Sequence, residues 1–299
     1  MRTVRVAAAQ YPIDELPDLS AFEMKLSRWV AEAVGEGAEL LVFPEYGAME
    51  LTSLADRKVA ADLSASIAAI QEVMGEVDAL HAALARRHRV HILGASAPLR
   101  QTDGRYCNSA RLFAPANGVG IQQKLLTTRV EREKWRIAAG EGLRVFDTAL
   151  GLIGIALGYD AEFPLLVRAL AAAGAQVILV PSCSDTLAGY HRVRVAAAAR
   201  ALESQCYVVQ APTVGEARWS PAVGGNIGAA RVFAPPDRGF PDDGVVVMGE
   251  LNRPSWVHAA LELDRLAAVR RGGDGLNLRH WDEQPGAHRA PIADVVRLR

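Results

Sequence analysis

The stretch that decides the fold is Ile153–Pro164, with the sequence IGIALGYDAEFP. Its apolar first half predicts a buried strand, and Pro164 is typical of the first turn of a helix. The two elements meet at a tight elbow near Gly158. A strand-to-helix elbow is a common place for a catalytic nucleophile. This chain has a glycine there, and therefore no side chain.

Strands and helices alternate on both sides of this stretch. A capping box formed by Ser20 and Glu23 predicts the start of a helix that stops at Gly37. Further helices are predicted over about Asp62–His88, Pro164–Ala173 and Tyr190–Ser204. The predicted strands are short apolar runs, namely Val4–Gln10, Leu40–Phe43, Val90–Ser96, Gln176–Val180, Tyr207–Gln210, Arg231–Ala234, Val245–Gly249 and Val257–Leu263.

The middle of the chain predicts two hairpins. Asn117-Gly118 is a strong turn signal between the predicted strands Asn108–Phe113 and Val119–Lys124. A second pair of predicted strands, Arg144–Asp147 and Leu152–Leu157, leads directly into the elbow. The predicted sheets are therefore mixed, with both parallel and antiparallel neighbours.

The length of 299 residues, half of them hydrophobic, suits one large α/β domain. Helices on both sides of mixed sheets predict a layered α/β sandwich. We assign residues 1–271 to this domain. Residues 272–299 are polar and irregular, and we expect a C-terminal tail that packs on the domain or on a neighbouring subunit.

Composition excludes several classes of partner. The net charge is −1, from 33 basic and 34 acidic residues, which favours neither nucleic acid nor an anionic membrane. No apolar run approaches the roughly 18–20 residues of a membrane span, and the N-terminus lacks the apolar core of a signal peptide. The odd, widely spaced Cys107, Cys183 and Cys206 indicate neither a disulfide framework nor a zinc site. We therefore expect a cytoplasmic protein that binds small molecules.

Two charged residues follow predicted strands. Glu45 comes after an apolar strand and a proline, where α/β proteins often bind ligands. Partial burial would raise its pKa and suit it to general base catalysis, although a turn carboxylate that caps the next helix is an equal alternative. Lys124 could stabilise an oxyanion, but on its own it is more typical of an exposed strand end.

Three further residues carry weaker signals. Glu133 lies in a charged run that would normally be a solvated helix face. Asp160, just after the elbow, could cap a helix. Cys183 could act as a substitute nucleophile, but a free cysteine is more often a small buried residue.

Together these residues resemble the nitrilase, or carbon–nitrogen hydrolase, superfamily over most of the chain. Phe43-Pro44-Glu45 is similar to the family's glutamate motif. Lys124 with Glu131-Arg132-Glu133-Lys134-Trp135 is similar to its lysine motif. Ile155–Pro164 resembles its cysteine motif everywhere except at the cysteine, which is Gly158 here. Three motifs in the family's order are far more specific than any one of them.

The resemblance implies a four-layer α-β-β-α sandwich of the nitrilase type, a homodimer or higher homo-oligomer, and a Glu-Lys-Cys site without metal or cofactor. By matching, Glu45 is the general base and acid, and Lys124 binds the oxyanion together with the backbone N–H of Tyr159. Glu133 matches the second glutamate that many members use to position substrate. Whether Glu131 takes that place instead stays open.

In the family mechanism the cysteine attacks an amide or nitrile carbon, so Gly158 removes the nucleophile. Loss of a covalent nucleophile can cost on the order of 10⁶-fold in rate. The chain is then an inactivated variant of an amidase-like hydrolase, a natural pseudoenzyme that binds an amide-like ligand or a partner, or a hydrolase that uses water. We favour the first, because two buried charges are costly to keep without a task.

The resemblance also implies the substrate class, which is a small amide rather than a nitrile. The pocket mouth is expected to include Glu162, Tyr190 and Trp219, with Ser220 and Asn226 beside them. A purely structural loop role for these residues is an equal alternative.

Overall fold

The computed structural model describes residues 2–289 and 292–298. The helices are α1 Leu19–Gly35, α2 Arg57–Ala60, α3 Leu63–Ala69, α4 Met74–His88, α5 Arg129–Glu133, α6 Pro164–Ala172, α7 Leu187–Glu203, α8 Leu263–Gly272 and α9 Asn277–His280. Short 3-10 helices span Gly47–Leu54, Ile70–Glu72, Gly158–Glu162, Trp281–Glu283 and Ala287–Arg289. The strands are β1 Thr3–Pro12, β2 Leu40–Val42, β3 His91–Arg100, β4 Tyr106–Phe113, β5 Val119–Gln123, β6 Ile137–Ala138, β7 Arg144–Thr148, β8 Gly151–Ile155, β9 Val177–Ser182, β10 Tyr207–Glu216, β11 Gly225–Asn226, β12 Arg231–Phe233, β13 Val245–Met248, β14 Ser255–Glu262 and β15 Asp294–Arg297.

The strands form two mixed sheets that meet at one corner. The first has the order β14-β1-β2-β3-β4-β5, with β1, β2 and β3 parallel. The second has the order β15-β7-β8-β9-β10-β12-β13, with β8, β9 and β10 parallel. The ends of β1 and β10 pair at Tyr11 with Thr213 and at Pro12 with Val214, which joins the two sheets.

Three apolar clusters show that the sheets and helices stack in four layers. The middle cluster contains strand residues of both sheets, for example Val6 and Leu179. The outer clusters pack α1 and α4 on the first sheet, as at Trp29, and α6 and α7 on the second, as at Ala197. Burying one Val, Leu or Ile side chain contributes about 1.5–3 kcal/mol, so the middle cluster is what holds the sheets face to face.

Strand β1 shows how the sequence encodes this arrangement. Val4, Val6 and Ala8 belong to the middle cluster, while Ala7 and Tyr11 belong to the outer one. Alternate side chains of a strand point to opposite faces. Both faces of β1 are covered from Val6 to Ala9, and this run is continuously apolar, whereas Thr3 and Arg5 near the strand start are exposed and alternate with buried Val4 and Val6.

Most predicted elements are confirmed, including the elbow and the hairpin at Asn117-Gly118. Strands β4 and β5 are antiparallel there, the turn is closed by the N–H of Asn117 donating to the carbonyl of Ala114 at 3.1 Å, and Asn117 has a left-handed φ of 67°. The predicted capping box at Ser20 is wrong, because α1 is capped by Asp18, which accepts from the N–H of Ala21 at 2.8 Å.

Two further expectations differ from the structure. The single helix expected over Asp62–His88 is interrupted by the 3-10 turn Ile70–Glu72. In the C-terminal segment, Asp294–Arg297 is not irregular but forms β15, which pairs in parallel with β7. The described part of this segment therefore extends the second sheet of its own chain.

None of the helices in residues 2–289 and 292–298 is both long and apolar enough to cross a membrane.

Candidate active site

Glu45 is fixed by the turn that follows β2. The backbone stays tied to β3 beyond the strand end, since the N–H of Phe43 donates to the carbonyl of Leu93 at 2.9 Å and the N–H of Ser96 donates to the carbonyl of Pro44 at 3.1 Å. Glu45 is 2% exposed. A carboxylate in this position cannot be an ordinary surface turn residue, because a buried charge must find partners.

Lys124 lies immediately after β5 and is equally buried. Its N–H donates to the carbonyl of Asn108 at 2.8 Å, and its carbonyl accepts from the N–H of Gly140 at 2.8 Å. Its Nζ donates to Oε1 of Glu45 at 2.8 Å and to Oε1 and Oε2 of Glu131 at 2.8 and 2.9 Å. The alternative of an exposed strand-end lysine is therefore wrong.

Glu131 is positioned by a capping box at the start of α5. The N–H of Thr128 donates to Oε2 of Glu131 at 2.6 Å, and the N–H of Glu131 donates to Oγ1 of Thr128 at 3.3 Å. The hydroxyl of Tyr46 donates to Oε1 of Glu131 at 2.5 Å. Because the backbone N–H of Thr128 and the hydroxyl of Tyr46 hold the carboxylate, Glu131 presents a rigid acceptor to Lys124.

The structure places Glu131, and not Glu133, beside Lys124. Glu133 is exposed at the end of α5, two residues beyond Glu131. Residues two apart on a helix point to different faces, so only one of them can face Lys124. The sequence did hold a signal for Glu131, since Thr128-x-x-Glu131 is a capping-box pattern.

Gly158 begins the 3-10 helix after β8 and has a φ of +42°. A Cβ added there would lie 2.2 Å from Oε2 of Glu45 and 3.0 Å from its Cδ. The Glu45 carboxylate therefore occupies the space that a side chain at position 158 would need. A water at the Cβ position would also be 2.2 Å from Oε2, closer than a hydrogen bond allows.

Asp160 ties the elbow to the lysine loop. Its carboxylate accepts from the N–H groups of Leu125 and Leu126 at 3.1 and 2.8 Å. The alternative that it caps a helix is wrong, since the residue before α6 is Phe163 and makes no side-chain cap. The loop after Lys124 and the turn after Gly158 are thus held at a fixed separation.

The charges of the cluster are set mainly by burial. Burial raises the pKa of Glu45 to about 7, although Lys124 lowers it. Burial favours a lower pKa for Lys124, but the charges of Glu45 and Glu131 outweigh it and the pKa is raised. Burial likewise opposes the ionised form of Glu131, yet Lys124 keeps its pKa below the ordinary value. At neutral pH, Glu45 can therefore gain or lose a proton while its two neighbours stay charged.

These groups open onto a pocket of about 370 Å³. Its wall includes Tyr159 and Glu162, and Glu162 is paired with Arg192 at 2.6 Å. Among the described residues the wall includes neither Tyr190 nor Trp219. The expected residues outside the wall have structural contacts instead. The hydroxyl of Tyr190 accepts from Nε of Arg231, and Trp219 packs on the outer core of the first sheet. Ser220 caps a turn, and Nδ2 of Asn226 donates to the carbonyl of Val223.

Two residues of the site, Asn108 and Tyr46, had no sequence signal. Asn108 on β4 is fully buried, and its Nδ2 donates to Oε1 of Glu45 at 2.9 Å. The ring of Tyr46 packs against that of Trp135, with centroids 4.7 Å apart. Asparagine and tyrosine occur in many structural roles, and only the fold brings these side chains to the glutamates.

Cys183 also lines the pocket, just after β9. Its thiol donates to Oδ1 of Asn226 at 3.6 Å, and burial raises its pKa to about 12. A thiol with so high a pKa is a weak nucleophile at neutral pH. No group of three or more His, Cys, Asp or Glu side chains in the described residues could hold a metal ion.

The arrangement combines a base that titrates near neutrality, a fixed cation and a small pocket. Such a site can bind a polar, neutral group, exchange a proton with it and stabilise a developing negative charge. It resembles the constellation of a carbon–nitrogen bond hydrolase, with no nucleophile at the elbow. Residues 5–249 match the family described as Carbon-nitrogen hydrolase, and the chain belongs to this family.

The chain is 33% identical over 270 residues to the probable hydrolase YhcX of Bacillus subtilis (strain 168), covering 90% of this chain and 52% of that protein. It is 32% identical over 199 residues to the bifunctional nitrilase/nitrile hydratase NIT4A of Lupinus angustifolius, covering 62% of this chain and 55% of that protein. The chain thus spans about half the length of these curated relatives.

The fold matches that of a carbon–nitrogen hydrolase from Helicobacter pylori G27 with a TM-score of 0.74. The two are 17% identical, and the match covers 90% of this chain and 92% of the other. The α/β fold expected from the sequence resemblance, that of the nitrilase superfamily, is confirmed.

Proposed function

We propose that this chain has the substrate site of an amidase-like carbon–nitrogen hydrolase and lacks only the nucleophile, at Gly158. In this proposal a small amide binds between Glu45 and Lys124 in the pocket, and Glu131 holds the lysine in place. The observation that carries the proposal is the buried Glu45–Lys124–Glu131 cluster directly beside the elbow.

The electrostatics support this use of the cluster. Breaking a buried ion pair by removing one partner costs about 3–5 kcal/mol, and replacing the whole pair by apolar residues is often neutral or stabilising. A buried cluster is therefore weak evidence for stability. Its position at an open pocket, with a base of pKa about 7, is what suits it to proton transfer.

A cysteine at position 158 would complete the reaction. Glu45 would take the thiol proton, and the thiolate would attack the amide carbon while Lys124 stabilises the oxyanion. Glu45 would then protonate the leaving nitrogen, which departs as ammonia or an amine and leaves a thioester. A water deprotonated by Glu45 would hydrolyse the thioester to the carboxylic acid and restore the thiol.

The test compares ammonia release by the parent chain and by Gly158→Cys over a panel of small aliphatic and aromatic amides and nitriles. We expect the substitution to raise turnover of at least one amide by up to about 10⁶-fold. We also expect it to lower stability by about 1–3 kcal/mol, because position 158 has a positive φ and the Cβ displaces Glu45.

Gly158→Ala is the matched control, since it adds the same Cβ without a thiol. It should show a similar loss of stability and no gain in turnover. A folded Gly158→Cys protein that is no more active than Gly158→Ala on the whole panel would contradict the proposal.

One observation favours a second candidate, a non-catalytic protein that binds an amide-like ligand or a partner. The elbow is fitted to glycine, both by its φ of +42° and by the Glu45 oxygen in the side-chain space. This candidate predicts that the parent chain binds an amide of the panel in calorimetry while the folded Gly158→Cys protein stays inactive.

A further inference from the structure

The two oxygens of Glu45 have different surroundings. Oε1 accepts from Nζ of Lys124 at 2.8 Å and from Nδ2 of Asn108 at 2.9 Å. Oε2 lies against Gly158 at the pocket, and none of the described residues donates a hydrogen bond to it. One oxygen is thus anchored in the protein, and the other faces the space where a ligand would react.

The orientation of the Asn108 side chain toward Glu45 carries an energetic cost. It is fully buried on β4, and its Oδ1 has no hydrogen-bond partner among the described residues. A buried acceptor without a partner costs about 1–3 kcal/mol. The opposite amide orientation would place Oδ1 against Oε1, two acceptors facing each other. The contact from Nδ2 to Glu45 is therefore what fixes this side chain.

Lys124 alone would not fix the orientation of the Glu45 carboxylate. Of its three Nζ contacts, two go to Glu131 and one to Glu45. With a single donor, Glu45 could turn about its last torsion and still keep that bond. A second donor at the same oxygen determines the plane of the carboxylate and holds the other oxygen toward Gly158.

We infer that Asn108 is a positioning residue that reserves the pocket-facing oxygen of Glu45 for proton exchange with a bound ligand. If Oε1 carried the proton, its O–H would face an N–H of Lys124 or Asn108, so that two donors would meet and one hydrogen bond would be lost. The proton therefore resides on Oε2. The inference rests on the proposed function only in one respect, namely that the proton on Glu45 is exchanged with a bound amide. The protonation behaviour of Glu45 itself requires no ligand.

The experiment is a ¹³C NMR titration of Glu45 in ligand-free protein labelled at glutamate Cδ, with Glu45→Gln to assign the signal. Asn108→Leu keeps the size of the side chain and removes the donor. Because a hydrogen bond to a charged group stabilises the ionised form by about 1.5–3 kcal/mol, we expect the pKa of Glu45 to rise by about 1–2. Ser109→Ala, which removes a buried hydroxyl from the same strand, should leave the pKa of Glu45 unchanged.

Asn108→Asp provides a second route if Asn108→Leu does not fold. Its shape is almost unchanged, and a second carboxylate beside Oε1 should raise the pKa of Glu45 further. An unchanged pKa in a folded Asn108→Leu protein, or in Asn108→Asp where Asn108→Leu does not fold, would overturn the inference. So would an equal rise in Ser109→Ala. Failure of amide binding would leave this titration unaffected, and the two proposals can therefore fail separately.

Discussion

The molecule contains two buried lysine clusters with nearly the same chemistry. In the Lys124 cluster a lysine contacts two glutamates, and a tyrosine hydroxyl donates to one of them; its members are Glu45, Tyr46, Lys124 and Glu131. In the Lys25 cluster a lysine contacts one aspartate and one glutamate, and a tyrosine hydroxyl again donates to the glutamate; its members are Tyr11, Asp14, Lys25 and Glu50. The types of residue therefore do not tell a catalytic cluster from a structural one.

The difference lies in where the acceptors point. In the Lys25 cluster, Oε1 of Glu50 accepts from Tyr11 at 2.5 Å and Oε2 accepts from Lys25 at 2.6 Å. In the Lys124 cluster, Oε2 of Glu45 is left toward Gly158 and the pocket. A buried glutamate with both oxygens bonded, such as Glu50, has no free acceptor for a ligand, whereas the free oxygen of Glu45 beside the pocket can exchange a proton.

The largest expected effect comes from removing each lysine in turn. Lys124→Met leaves the buried carboxylates of Glu45 and Glu131 without their cation, and Lys25→Met does the same to buried Glu50, so both should lower the free energy of unfolding by about 3–5 kcal/mol in urea denaturation. Only Lys124→Met should also weaken binding of the best amide of the panel, by at least about 10-fold, since a hydrogen bond from a charged group is lost.

Calorimetry at a temperature where both variants remain folded separates the two effects. Equal affinity of Lys124→Met and the parent chain would remove the lysine from the ligand site. A comparable loss of affinity in Lys25→Met would show that a free glutamate oxygen at the pocket is not what distinguishes the Lys124 cluster from the Lys25 cluster.

A somewhat smaller effect is expected from pH. The pKa of Glu45 is about 7 in the folded chain against an ordinary value of 4.5, so the folded state binds this proton more tightly than the unfolded state. Its contribution to stability is therefore complete below pH 4.5 and declines as pH rises to about 7, by about 3 kcal/mol. The lowered pKa of Glu131 has the opposite sign, and its contribution is lost only as pH falls below 4.5.

The measurement is the difference in unfolding free energy between the parent chain and Glu45→Gln at a series of pH values. The difference is needed because buried His81 and His91, with pKa values of about 4, change stability in the opposite direction over much of the same range. A difference that does not vary between pH 4.5 and 7 would show that Glu45 keeps an ordinary pKa.

The sequence predicted the scaffold of the site well because its signals are local. The elbow at Gly158 and the turn at Asn117-Gly118 depend on a few neighbouring residues, and both are where they were expected. Glu45 was singled out because it follows an apolar strand and a proline, whereas Lys124 alone was more typical of an exposed strand end and its role came from the family resemblance. Their pairing with each other could be inferred only from the family resemblance.

What could not be predicted depends on distant contacts. The contact of Asn108 with Glu45 spans 63 positions of sequence, and nothing around Asn108 distinguishes it from a structural strand residue. Tyr190 looked like a pocket residue, but it is covered by Arg231 from β12. The carboxylate that fills the side-chain space at Gly158 is likewise visible only once β2 and β8 are brought together.

The smallest expected effect distinguishes the two glutamates of α5. Glu131→Gln removes a charge that contacts Lys124 and should lower the free energy of unfolding by about 1.5–3 kcal/mol. Glu133→Gln changes an exposed residue and should stay within about 0.5 kcal/mol of the parent. Both changes remove one negative charge from the same short helix, so any general effect of charge cancels in the comparison.

Ligand binding makes the same comparison sharper. In Glu131→Gln one of the two oxygens that accept from Lys124 becomes an NH₂ group, which cannot accept, and the remaining contact lacks the charge, so Lys124 is held less firmly beside Glu45. Amide affinity in calorimetry should therefore fall in Glu131→Gln and remain unchanged in Glu133→Gln. The reverse result would mean that α5 is placed in the wrong register, and that the capping box of Thr128 does not determine which glutamate faces the lysine.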